Sequence, residues 1–461
     1  MRSGSFTPDF AGLLAAAALA LCACSGGGGG GTSQQVHMTP GNVLIVIADD
    51  VGTDMISAYH EHPGAPPTPT LDALAAEGVL FKNAYASPTC SPTRASILTG
   101  RYPFRTGLGT AIQEWKPEYA LPLDEVTLPE MLNQVGLPHI ANSAVGKWHL
   151  GSTLVGDIED ANLQGFDWFE GTFGNFFFGQ TYFDHSKIIN GVRINSTTYA
   201  TTEQADDAIA RIQAMPEPWL CYLAFNSGHQ PFHAPPAYLH TYTLAGDPEL
   251  TPNPHYCAAV QALDTELGRV LNTLTPQVRA NTTIIFIGDN GTPNEAVIPP
   301  SVAGQAKGSL YEGGVRVPLI VSGKRVKRSG ATCTALVHAV DLFPTVADLF
   351  DRDYRAGVGD NRPIDGLTLM PFFSDPNAPS LHPYLFSQKF APNGFGPFTT
   401  EGWTIRNERW KLMRRQGLGD SLFDMQGVTR EGADLLLGPL TPEQQAAYTQ
   451  LQNQLIAVLN G

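Results

Sequence analysis

Two stretches of this chain are apolar without interruption, NVLIVIA at 42–48 and TTIIFIG at 282–288. A strand with one wet face alternates apolar and polar residues. Runs without alternation therefore belong to strands covered on both sides, as in a sheet sandwiched by helices. Each run stops on a polar pair, Asp49-Asp50 after the first and Asp289-Asn290 after the second. Residues 219–225 and 317–322 read as further strands of this kind. Helical patterns lie between them: 71–77 closed by Gly78, 128–135 closed by Gly136, and a long one through Tyr256, Val260, Leu263, Leu267, Leu271 and Leu274. Strands alternating with helices predict an α/β domain on a large sheet. Ligands of such sheets gather at the carboxyl ends of the strands, where both polar pairs stand.

After residue 372 the pattern shortens to strand-like runs at 403–406 and 410–413 and an amphipathic tail at 442–459. The expected organisation is a main domain over 41–372 and a small α+β domain over 373–461. With 43% hydrophobic and 15% charged residues the chain has the composition of a packed protein rather than a disordered one. Its 43 Asp+Glu against 28 Lys+Arg give a net charge of −15, and no basic cluster stands out. That balance argues against a nucleic-acid partner and against electrostatic docking on anionic lipid.

The amino terminus reads as a targeting segment. Residues 11–23, AGLLAAAALALCA, are too short to span a bilayer and follow a weakly basic start at Arg2, so 1–23 is expected to be a signal peptide. Leu21-Cys22-Ala23-Cys24 resembles a bacterial lipobox with Cys24 as the acylated residue, and the glycines 26–31 look like part of a tether over 24–40. This reading exports the protein as a periplasmic or outer-membrane lipoprotein that meets the membrane only through its N-terminal lipid anchor. An ordinary secretory signal would export it equally. Beyond the two cysteines of the lipobox four remain, too few for a disulfide-built scaffold. Cys221 and Cys257 read as buried thiols, and one disulfide among Cys221, Cys257 and Cys333 stays open.

Cys90 is different, because it opens the segment Cys90-Ser91-Pro92-Thr93-Arg94-Ala95-Ser96-Ile97-Leu98-Thr99-Gly100-Arg101. Pro92 suits the first turn of a helix, which places Cys90 beside a helix N-terminus, where free N–H groups favour an anion. The segment resembles the signature of type I sulfatases, Cys-x-Pro-Ser/Thr-Arg leading to Thr-Gly, in which the Cys is oxidised to formylglycine. Further segments match in the same order. Gly146-Lys147-Trp148-His149-Leu150-Gly151 is that family's second signature, with Lys147 and His149 expected to face the pocket from an extended segment and Trp148 to pack behind. Ser227-Gly228-His229-Gln230-Pro231 corresponds to its Ser-x-His-x-Pro segment; His229 is preferred over His233, which reads as a rim residue. Lys307-Gly308-Ser309-Leu310-Tyr311-Glu312-Gly313-Gly314-Val315-Arg316-Val317-Pro318 corresponds to Lys-Gly-x-x-Tyr-Glu-Gly-Gly-x-Arg-x-Pro, where Glu312 and Arg316 are expected to shape the loop.

The resemblance implies an alkaline phosphatase-like fold: a large mixed sheet sandwiched by helices, with a small C-terminal domain. It implies a sulfuric ester hydrolase whose substrate is an aryl sulfate or a sulfated carbohydrate. The nucleophile would be formylglycine made from Cys90 by a formylglycine-generating maturation enzyme. Asp49, Asp50, Asp289, Asn290 and the group at Cys90 would hold calcium, with magnesium ranked behind it; four oxygen side chains suit a hard cation. Arg94 would fix the group at position 90, Lys147 and Lys307 would bind the sulfate, His149 would serve as base, and His229 would face the leaving oxygen. Two other readings compete. A phosphonate monoester or phosphodiester hydrolase of the same superfamily shares the Cys-x-Pro-Ser/Thr-Arg element, but the Gly-Lys-Trp-His-Leu-Gly segment and His229 speak against it. The other is a non-catalytic lipoprotein that binds sulfated glycan without turning it over because Cys90 is never converted; no inactivating substitution supports it. Aromatic and His residues in 104–115, 173–184 and 231–242 are expected to line the leaving-group side, with a lean toward the galactosamine-4-sulfatase and arylsulfatase B type.

Overall fold

A computed structural model of the chain describes residues 39–134, 136–359 and 361–460. The signal peptide, Cys24 and the tether up to residue 38 lie outside the described residues. Among the described residues no helix is long and apolar enough to cross a membrane.

Ten strands form the main sheet: β1 (Asn42–Ala48), β2 (Val79–Tyr85), β3 (Ala141–Gly146), β4 (Trp168–Gly171), β5 (His185–Ile189), β6 (Val192–Ser196), β7 (Trp219–Phe225), β8 (Thr282–Gly288), β9 (Arg316–Gly323) and β10 (Ala331–His338). Their order is β10-β2-β9-β8-β1-β7-β3-β4-β5-β6. The sheet is mixed. β8, β1, β7 and β3 run parallel as its centre, β9 is antiparallel to β8, and β2 is antiparallel to β9 and hence runs with the central four.

The unbroken apolar run of β1 has the expected cause. Val43, Ile45 and Ile47 enter one core and Leu44, Val46 and Ala48 the other. The helices Cys90–Thr99 and Leu342–Leu349 cover the first face with Ile97, Leu98, Phe343 and Val346. The helices Ala200–Ala214 and Pro252–Thr273 cover the second with Ala205, Ala208, Val260 and Leu263. Burying each large aliphatic side chain contributes about 1.5–3 kcal/mol, so a two-faced strand is the most stabilised kind.

A second, antiparallel sheet follows: β11 (Leu385–Ala391), β12 (Thr400–Arg406), β13 (Trp410–Arg415) and β14 (Gly419–Asp424), paired in that order. The helix Pro442–Asn460 lays Ala447, Leu451 and Leu455 into a cluster with Ile405 and Leu412. Tyr85 of β2 and Leu336 of β10 cluster with Leu385 of β11, Met413 of β13 and Phe423 of β14, so the two sheets share packed side chains and belong to one compact unit, Thr39–Gly461. Cys90, Cys221, Cys257 and Cys333 are all buried free thiols.

Two local expectations change. The helix expected over 128–135 spans Leu128–Leu132, because Asn133 turns its amide onto the backbone of Ile140 in both directions and draws the chain out of helical form. β3 ends at Gly146, but its backbone bonding continues through Lys147 N–H to the Ala224 carbonyl at 2.8 Å and Trp148 N–H to the Thr172 carbonyl at 3.0 Å; the chain turns aside at His149, which sits on left-handed backbone (φ 63°) and ends the expected extended segment. Gly146 itself has φ 90°, and a Cβ there would collide with the carbonyl oxygen of Ala224 on β7. Gly146→Ala is therefore expected to part β3 from β7 beside Lys147 and lower the thermal midpoint by several degrees, at a cost of ~1–3 kcal/mol. A scanning-calorimetry midpoint equal to the parent's would refute this.

Candidate active site

The sheet topology brings the chemistry-bearing segments to one edge. Asp49-Asp50 leaves β1, Asp289-Asn290 leaves β8, Lys147 to His149 leaves β3, and Ser227 to His229 leaves β7, all at the carboxyl ends of parallel neighbours. β2 runs the same way and delivers the chain to Cys90. β9 runs the other way, so the segment from Lys307 that precedes it returns to this same edge. Every residue expected at the site is thereby brought to it.

Cys90 is the first residue of the helix Cys90–Thr99, whose N-cap Thr89 makes no side-chain cap, and all ten of its residues are buried. Its Sγ lies 3.3 Å from His149 Nδ1. The other nitrogen, Nε2, meets the carbonyl oxygen of Ile112 at 2.9 Å. A carbonyl only accepts, so Nε2 carries the proton and Nδ1 turns a lone pair toward position 90. Burial, with Lys147 and Arg94 nearby, holds the imidazole well below its usual range and hence neutral. Burial also pushes the Cys90 thiol up to about 11, against the pull of Lys147, so the side chain as encoded is no thiolate.

Arg94 is fully buried and fully engaged. Its Nε and Nη2 reach Asp289 Oδ2 at 3.0 and 2.8 Å, and Nη1 donates to the carbonyl of Lys147 at 2.8 Å. Through these bonds it positions Asp289 and the Lys147 backbone. Lys147 Nζ donates to Asp49 Oδ2, and Lys307 Nζ donates to Asp50 Oδ2. Burial would raise the Asp50 carboxyl, but Lys307 and His229 outweigh it and hold it below the usual range. Burial would likewise lower Lys307, but Asp50 keeps it above its usual value. Burial, seconded by Asp49, raises Asp289. Asp50 takes left-handed backbone (φ 60°), a strained state for a non-glycine residue that aims its carboxylate into the cluster.

His229 and His233 separate clearly. His229 Nδ1 donates to the carbonyl of Gln230 at 2.7 Å, leaving Nε2 3.8 Å from Asp50 Oδ2, the oxygen that also takes Lys307. His233 stacks on Tyr182 with ring centroids 3.8 Å apart and pairs with the Tyr199 hydroxyl at 3.0 Å. It is pinned among aromatics. Trp148 packs behind the site as expected, edge-on to Phe166, with its indole N–H donating to Asp160 at 2.6 Å. Glu312 and Arg316 shape the Lys307 loop from outside: Glu312 pairs with Lys411 at 2.8 Å and with Arg406 and Arg316 at 3.5 Å each.

The donor set fits a divalent cation. Asp49 Oδ1 and Asn290 Oδ1 are buried oxygens with no hydrogen-bond partner. Asp49, Cys90 and Asp289 bring ligand atoms within 4.8 Å of one another. Unpartnered buried acceptors are costly unless a donor or an ion satisfies them, and the four oxygen side chains of Asp49, Asp50, Asp289 and Asn290 suit a hard ion beside the Cys90 sulfur.

One neighbour went unnoticed in the sequence. Glu114 Oε2 lies 3.6 Å from His149 Nε2, and burial pushes the carboxyl up to about 7. It stands in a loop between Gln113 and Trp115, and no motif or period marks it.

A sulfatase family model matches residues 41–352, and the chain belongs to the sulfatase family. It is 29% identical over 399 residues to mouse arylsulfatase J, covering 81% of this chain and 64% of that protein. It is 31% identical over 367 residues to pig N-acetylgalactosamine-6-sulfatase, covering 72% of this chain and 66% of that protein. The chain thus spans a little under two thirds of the length of these relatives. Among solved structures, Ps i-CgsB superposes with a TM-score of 0.75 at 24% identity over 91% of this chain and 92% of that one.

Proposed function

We propose that this protein hydrolyses sulfate esters, aryl sulfates or sulfated carbohydrates, to the alcohol and inorganic sulfate, with formylglycine made from Cys90 as nucleophile. The observation that carries the reading is the convergence of Cys90, His149, Lys147, Lys307 and His229 on a carboxylate cluster at one sheet edge. Membership of the sulfatase family supports it. A hydrated formylglycine offers two hydroxyls on one carbon, one to attack sulfur and one whose deprotonation releases the product, where a thiol offers a single group. Asp49, Asp50, Asp289 and Asn290 would hold calcium, which supplies Lewis acidity toward sulfate oxygens and lowers the pKa of an oxygen bound to it.

The chain's own residues then divide the work. Lys147 and Lys307 stand on different carboxylates of the cluster and supply positive charge on two sides of the place where a sulfuryl group binds. His149 Nδ1, neutral and 3.3 Å from the position-90 side chain, takes its proton. His229 Nε2 and Lys307 Nζ share Asp50 Oδ2 and so sit together toward the departing oxygen, Lys307 as its proton donor. Arg94 keeps Asp289 and the Lys147 backbone in register.

The test is the mass of the tryptic peptide 83–94 in protein from the native host. An aldehyde at position 90 is expected, with turnover of an aryl sulfate by the same preparation. A thiol throughout, with no turnover, would sink the proposal.

A further inference from the structure

Beside the catalytic centre a cleft of about 210 Å³ opens between residues 114–115 and the loop 172–180. It is far roomier than the ~30 Å³ share of one water. Its side wall is aromatic: the Trp115 ring lies 4.0 Å from Phe177 and 5.3 Å from Phe178, centroid to centroid. Phe178 is 80% exposed, an apolar ring held out toward solvent. Its floor is polar. Glu114 is 6% exposed, and its Oε2 is a buried acceptor with no hydrogen-bond partner. Asn175 donates its backbone N–H to Glu114 Oε1 at 3.1 Å while its own Oδ1 is a second unpartnered acceptor. The cleft communicates with the reaction centre through one side chain, since His149 lies 3.6 Å from Glu114 Oε2 on one edge and 3.3 Å from Cys90 Sγ on the other.

We infer that this cleft is a subsite for a sugar ring adjoining the sulfated unit, with Trp115 and Phe177 stacking on the ring and Glu114 and Asn175 accepting from its hydroxyl or amide N–H groups. The inference rests on the hydrolase reading above and narrows its substrate class from any sulfate ester to a sulfated glycan longer than one sugar. The chemistry selects this occupant. A flat apolar ligand would leave two buried acceptors unpaired, at ~1–3 kcal/mol each. The cleft's lining also holds Arg193, whose Nη1 donates to Ser186 Oγ at 3.2 Å, and Asp157; an anion bound at Arg193 would still leave the two acceptors of the floor unpaired. A sugar ring presents apolar C–H faces to the aromatic wall and donors at its edge, and so satisfies both surfaces at once. A carboxyl titrating about 7 accepts from a hydroxyl when ionised and still accepts, or donates, when protonated.

The experiment separates binding from turnover. Binding is read by titration calorimetry on full-length Cys90→Ala protein, against oligosaccharides carrying O-sulfated galactose, N-acetylgalactosamine or glucosamine, and against the corresponding sulfated monosaccharides. We expect at least one oligosaccharide to bind tighter than its monosaccharide. Adding Trp115→Ala or Asn175→Ala should weaken that oligosaccharide at least about tenfold and the monosaccharide by less than about threefold. In the Cys90 protein, matured, Trp115→Ala should leave kcat/KM for nitrophenyl sulfate within about threefold while lowering it tenfold for the oligosaccharide. The subsite is overturned if no oligosaccharide outbinds its monosaccharide, if both variants bind as the parent does, or if nitrophenyl sulfate and oligosaccharide turnover fall in parallel. Absence of any turnover by matured protein, with oligosaccharide binding intact, would sink the hydrolase reading and leave the subsite standing.

Discussion

Cys90→Ala is expected to lower kcat for aryl sulfate hydrolysis by at least ~10⁴-fold, the scale on which removing a covalent nucleophile acts. The same substitution should scarcely disturb folding. Cys90 is buried at a helix start, but among the described residues its one side-chain hydrogen bond is to His149, and alanine suits a helix at least as well. The thermal midpoint should move by no more than a few degrees. Both quantities are needed: a variant that keeps its fold and a large part of its activity would show that the assigned nucleophile is wrong. A Cys90→Ser protein should resemble the alanine variant if the aldehyde is the working form, since a serine hydroxyl provides one oxygen and not two.

Asp289→Ala should produce the largest loss of stability. Its Oδ2 holds two nitrogens of a guanidinium that is itself fully buried, and removal leaves Arg94 with one backbone carbonyl and a distant Asp49 carboxylate at 4.0 Å. Stranding a buried charge in this way costs about 3–5 kcal/mol. The variant should also lose its response to calcium. A site that binds only in the folded state stabilises by about 2.7 kcal/mol when the ion is present at a hundred times its dissociation constant. The parent's thermal midpoint should fall in chelator and recover with calcium, while that of Asp289→Ala stays low in both. A parent indifferent to chelator would remove the cation from the account, and a variant as stable as the parent would remove the buried ion pair from it.

Much of this was legible in the chain. The two unbroken apolar runs announced doubly covered strands, and the acidic residues at their ends lay where open α/β sheets gather ligands. The motif segments carried Cys90, Lys147, His149, His229 and Lys307 to the site, and the topology explains why, since each follows or precedes a strand whose end lies on one edge. What was not legible depends on loops that return from afar. Nothing local signals that Glu114 stands behind His149, because the contact is made across 35 positions by two irregular segments. The turn at His149 was hidden for a related reason: a left-handed residue that is neither Gly nor Asn is imposed by its surroundings, here its own N–H bonded to the carbonyl of Phe173 and its ring held by Ile112. Nor does sequence show that Arg94 reaches across to Asp289 at the end of β8 and to the Lys147 backbone, contacts made over 195 and 53 positions.

The Glu312 cluster bears on timing. A ribosome delivers Asp50 long before Asp289, which follows 239 residues later, and Glu312 then waits a further 99 residues for Lys411 on β13. Until that strand emerges, the segment that carries Lys307 ends on a carboxylate lacking its lysine partner in what becomes a dry interior. Before the second sheet is made, Glu312 has only Tyr85 and Arg316 beside it among the described residues, so the full set of bonds under the Lys307 loop forms only once the second sheet has joined the first.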